Sequence, residues 1–113
     1  MQNPRAVASV MAVQAGELAQ DLSDVLERKR ASNIAVRQSQ SHYDFASAMY
    51  GLQLSRGNVS GAELANAQMQ TFMRQKAGAR KMARQMSWLA PEIQSSVNSV
   101  VVELSRMTSP NIA

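Results

Sequence analysis

Apolar residues recur at Val7, Val10, Met11, Ala15, Leu18, Leu22, Val25 and Leu26, the spacing that gathers side chains on one face of a helix. Asn3 and Pro4 supply the start, an N-cap acceptor followed by a proline at the first helical position, where a missing N–H costs nothing. Gln14, Gln20 and Asp21 take the opposite face. Acids at Glu17, Asp21, Asp24 and Glu27 precede Arg28, Lys29 and Arg30, an order that suits the helix dipole and permits an Asp24 to Arg28 pair. Residues 27–33 and 37–42 are almost wholly polar, and Ser32 and Asn33 are a potential break. Against a break, no Gly or Pro stands between Glu17 and Gly51. The pattern predicts one very long helix over about residues 4–55, with a kink admitted near 32, roughly 75 Å long at the helical rise. Near its end Tyr43, Phe45, Ala46, Met49, Tyr50, Leu52 and Leu54 form a second apolar section, suited to packing a hairpin tip or to docking elsewhere.

Arg56, Gly57, Asn58, Val59 and Ser60 read as a loop, with Ser60 and Glu63 as a capping box for the next helix. That helix is predicted over about 61–89, with Leu64, Ala65, Met69, Phe72, Met73, Ala79, Met82, Ala83, Met86 and Leu89 on its buried side. Ala90 and Pro91 mark a corner, anchored by Trp88. A third helix over about 92–107 carries Ile93, Val97, Val100, Val101, Leu104 and Met107, of which 93, 97, 100, 104 and 107 alternate by four and three. Thr108, Ser109 and Pro110 end it and leave a tail at 108–113. The predicted fold is all-α, an elongated helical hairpin or three-helix arrangement with one very long N-terminal helix, in a single domain spanning 1–113.

Composition sharpens this picture. The apolar share is 45%, but 17 Ala and 8 Met make up about half of it, and Leu, Ile, Val and Phe together number 23. So thin an inventory implies helices that complete their burial against each other or against other subunits. With no Cys and one His, disulfide frameworks and Cys-rich metal centres are excluded, and no cofactor or metal is expected. No run of about 18 apolar residues is present to span a membrane. The stretch from Ala6 to Val13 imitates a signal peptide only loosely, so the expected location is the cytoplasm or a leaderless assembly, a virion or secretion complex, rather than classical secretion.

The net charge is +4, and its whole surplus falls in one segment. Arg74, Lys76, Arg80, Lys81 and Arg84 occur together with no acid, and 76, 80 and 84 stack at i, i+4, an arrangement that repels itself in isolation. A solvated face is the plain reading. The alternatives are phosphates of a nucleic acid, an acidic partner surface, or the chain's own Glu17 to Glu27 acids if the helices fold back. No helix-turn-helix, zinc-finger or stacking motif accompanies the stripe, so any nucleic-acid affinity would be sequence-independent.

Catalysis finds little footing. His42 and Asp44 diverge on a helix, acids are scattered singly, and the glycines at 57 and 61 lack the Lys and preceding strand of a phosphate loop. The expectation is a non-enzymatic helical interaction protein, a small structural subunit of a larger assembly such as a virion or secretion machine, or its helical chaperone. Protein partners in a homo- or hetero-oligomer would meet an apolar surface drawn from Met69, Phe72, Met73, Met82, Met86, Ile93, Val97, Val100 and Leu104. Arg74, Lys76, Arg80, Lys81 and Arg84 would supply phosphate or acidic-partner contacts. The alternative function is a small dimeric, sequence-independent nucleic-acid-binding protein using the 74–84 stripe.

Overall fold

The computed structural model describes residues 3–108, and these form a helical hairpin of two helices, α1 (Pro4–Ser55) and α2 (Val59–Thr108). Asn3 starts α1 as its spacing suggests: its Oδ1 accepts from the Arg5 N–H at 3.0 Å, and its carbonyl accepts from the Val7 N–H at 3.1 Å. The helix passes through residues 27–42 without interruption. The polar residues there lower apolar content, but they are helix-compatible and contain no backbone breaker.

The turn closes through a left-handed glycine. Gly57 sits at φ 72°, the Gly57 N–H donates to the Leu54 carbonyl at 3.0 Å, and the Asn58 N–H donates to the Gln53 carbonyl at 2.9 Å. Those two bonds form a Schellman cap, which satisfies carbonyls that the end of α1 would otherwise leave open. Asn58 then begins α2, because its Oδ1 accepts from the Gly61 N–H at 3.0 Å while its Nδ2 donates to Gln53 Oε1 at 3.0 Å. The expected Ser60–Glu63 box is therefore corrected: Asn58 is the cap, and Ser60 lies inside the first turn of α2. Gly61 leaves room for this cap, since a Cβ there would stand 2.7 Å from Asn58 Nδ2 and the capping side chain would have to shift. Replacing Asn58 with Ala is expected to cost about 1 kcal/mol, read as a lower thermal midpoint in circular dichroism. Ser60→Ala should change that midpoint little, and the reverse ranking would reinstate the Ser60 cap.

The three-helix alternative is not what forms. Pro91 lies inside α2, which runs on to Thr108, so there is neither a corner at 90–91 nor a separate helix at 92–107. A proline disfavours a helix interior without forbidding it, and continuous burial on both sides of Pro91 outweighs it here. Trp88 anchors nothing in this hairpin; it is 80% exposed. The tail expected beyond Thr108 lies outside the described residues.

Contacts divide the chain into two compact units. Unit 2, residues 28–85, contains the turn. From α1 it places Lys29, Ser32, Val36, Ser39, Tyr43, Ala46, Tyr50 and Gln53 inward, and from α2 Ala62, Ala65, Met69, Phe72, Lys76, Ala79 and Ala83. Each series alternates by four and three, the spacing of a coiled-coil seam. The seam is small and polar: Ser32, Ser39, Ala46, Ala62 and Ala65 are its buried members. Unit 1, residues 1–27 with 86–113, continues the same spacing with aliphatic residues. Met11, Ala15, Leu18, Leu22 and Val25 form one row and Met86, Ala90, Ile93, Val97, Val100 and Leu104 the other, with Val25 and Met86 buried.

The predicted buried side of the second helix is correct at Ala65, Met69, Phe72, Ala79, Ala83 and Met86 and needs correction at Leu64, Met73, Met82 and Leu89, all of which are exposed. Those four stand beside the seam, and the half-buried Lys76, whose stem fills a seam position, takes the place an apolar residue was expected to hold. The hairpin tip is likewise not packed by all its rings. Tyr43 and Tyr50 face the seam, while Phe45 is 70% exposed.

Candidate functional site

In unit 2 the strict seam has a consequence for the basic segment: it splits the five cations between two faces of α2. Lys76, Arg80 and Arg84 line one open groove of about 500 Å³, together with Gln40, Tyr43, Met73 and Ala77. Lys76 occupies a seam position and is half-buried; it donates to Gln40 Oε1, and Gln40 Nε2 donates in turn to Asp44 Oδ1 at 2.7 Å. Through that relay its ammonium is held at the groove floor. Arg80 and Arg84 rise one and two turns further along the same wall. Arg74 and Lys81, seven residues apart, lie on the outer face of α2 and do not line the groove.

The cations have no carboxylate partners of their own. Among the described residues the one ion pair is Glu103 with Arg106 at 3.8 Å, a solvated contact one turn long. Among the described residues no ion pair involves the acids at 17–27 or the cations at 74–84. Nor does Asp24 pair with Arg28, since its Oδ1 accepts from Gln20 Nε2 at 3.0 Å instead. Five cations and four acids thus have no ion-pair partner among the described residues.

Apolar surface is equally unspent. Sixteen large hydrophobic residues are exposed among those described, against five buried apolar residues of which three are Ala. Of the residues assigned to an apolar partner surface, Met73 and Met82 are exposed at 56% and 42%, Met86 is buried, and Met69, Phe72, Ile93, Val97, Val100 and Leu104 are half-buried along the seam. Phe72 also meets the His42 ring, with centroids 5.1 Å apart. A ring contact of this kind packs the flank of the seam. Periodicity alone did not single out Val13, Leu26, Ile34, Val59, Val102 and Phe45 as outward-facing; the signal available was that each falls between seam positions once the four-three alternation is extended through Lys29, Ser32, Ser39 and Lys76.

Among the described residues no three His, Asp or Glu side chains gather as a metal site, and no helix is long and apolar enough to cross a membrane. Compared with family models, curated proteins and solved structures, the chain matches none.

Proposed function

We propose that this chain is a non-enzymatic helical interaction protein, a small structural subunit of a larger assembly of the virion or secretion-machine kind, or a helical chaperone for such a subunit. The observation that carries the reading is the distribution of apolar side chains. Phe45, Leu64, Val59, Val13 and Trp88 are each more than three-fifths exposed, while the interior of the hairpin is made largely of Ala and Ser. Surface of that kind is covered in an oligomer or by a partner helix.

The test is light scattering on the purified chain after size exclusion, at rising concentration, in roughly 50 mM and 500 mM salt and with or without duplex DNA. Self-association that ignores DNA, and that apolar contact sustains in part even at high salt, is the expected result. It should weaken when Phe45 and Trp88 are replaced by Gln. A stable monomer that moves onto DNA only at low salt would instead favour the nucleic-acid reading, for which the alignment of Lys76, Arg80 and Arg84 along one groove is the supporting observation.

A further inference from the structure

The unpartnered acids and cations share a spacing. On the outer face of α1, Glu17, Asp24 and Glu27 are separated by seven and then three residues; on α2, Arg74 and Lys81 on the outer face and Arg84 at the edge that this face shares with the groove are separated by seven and then three. All six side chains are exposed, and none has an ion-pair partner among the described residues. Residues 17–27 contain no base, and 74–84 contain no acid, so each block presents one sign over about 15 Å of helix.

From this we infer that the basic outer face of α2 docks the acidic outer face of α1 from a second copy of this chain, with the two helices parallel and residue i of one opposite residue i+57 of the other. Glu17 then meets Arg74, Asp24 meets Lys81 and Glu27 meets Arg84. The same register sets Gln20 against Ala77 and lays the exposed Trp88 over the small side chain of Ala31. Ile34 falls opposite Pro91. The uncharged pairs follow from the same offset and put apolar side chains beyond one end of the charged block. The contact belongs between copies because the Gly57 turn reverses the chain, and a parallel pairing of α1 with α2 cannot form within one hairpin.

Charge here sets register and encounter rate more than strength, and the apolar flank resists dissociation. Acidic and basic faces are different patches. The contact is therefore heterologous, and repetition of it links copies into a ring or filament. A polyanion such as DNA would satisfy the cations but would leave Glu17, Asp24 and Glu27 unpaired and has no use for the matched spacing.

This inference rests on the assembly reading and is separable from it by charge reversal in the full chain. One variant carries Glu17→Lys, Asp24→Lys and Glu27→Lys, a second carries Arg74→Glu, Lys81→Glu and Arg84→Glu, and a third combines all six and so keeps the native net charge. Self-association of the native chain, followed by light scattering and sedimentation, should weaken at least about tenfold on raising salt from roughly 50 to 500 mM. Each three-residue reversal should weaken it comparably, and the six-residue swap should restore it. Moving one acid off register with Gln20→Glu and Asp24→Gln, at constant net charge, should also weaken it. Circular dichroism of each variant confirms that the helix content is retained.

Native association that survives both reversals overturns the parallel register while leaving the apolar assembly reading intact. A native chain that stays monomeric at all salts also overturns it, as does a swap that fails to restore association. Loss of DNA binding in the basic reversal, with self-association unchanged, assigns the stripe to nucleic acid and overturns it as well.

Discussion

Leucine in place of Ala46 is expected to destabilise the hairpin by about 1–3 kcal/mol, the usual range for forcing extra methylenes into a closed contact. Ala46 is 1% exposed, and it shares unit 2 with Ala62 and Ala65 at 2% and 4%. These methyl groups allow two helix backbones to lie close. A branched four-carbon side chain at 46 has to displace the partner helix or leave its rotamer. Because the unit has few large buried side chains to re-pack, the strain has little room to spread. The check is the urea midpoint and thermal midpoint by circular dichroism, with Ala48→Leu as the companion. Ala48 is exposed two residues away on the same helix, so its substitution changes helix propensity by a small amount and packing not at all. Equal midpoints for the two variants would mean that the seam does not close over Ala46.

The sequence disclosed more of the fold than of the site, for a physical reason visible along the seam. Helix existence depends on local terms: Asn3 and Pro4 at the start, Gly57 at the turn, and helix-compatible residues along both helices except at Pro91, which reads locally as a corner. Those were legible. The buried face depends on which residues are apolar, and in unit 2 that rule fails because Lys29, Ser32, Ser39, Gln53 and Lys76 hold inward positions. A search for apolar residues passes over them and recruits neighbours such as Met73 and Met82, which belong outside. In unit 1, where most inward residues are Met, Leu, Val and Ile, the same search succeeds at Met11, Ala15, Leu18, Leu22 and Val25 and at Ile93, Val97, Val100 and Leu104, and fails at Val10, Leu26 and Val101, which are exposed. The basic stripe was legible as charge but not as geometry. Its division into a groove wall at 76, 80 and 84 and an outer face at 74 and 81 becomes visible once the seam is located, and the matching steps of Glu17, Asp24 and Glu27 become visible only then.

Pro91→Ala is expected to raise stability by about 2–3 kcal/mol, close to the full difference between proline and alanine in a helix interior. Pro91 has no N–H, so the Ser87 carbonyl loses its i+4 donor, and the ring crowds that same carbonyl. Pro91 is exposed, and removing its ring opens no interior cavity. Nothing in the hairpin therefore offsets the gain. For a chain of this size the thermal midpoint should rise by roughly 8–15 °C, with amide exchange slowing most around residues 87–95. The measurement belongs at high salt, where contacts between copies are weakened, because the parallel register sets Ile34 against Pro91 and an association change at low salt would enter the apparent midpoint. An unchanged or lower midpoint at high salt would show that α2 near Pro91 is shaped for the proline.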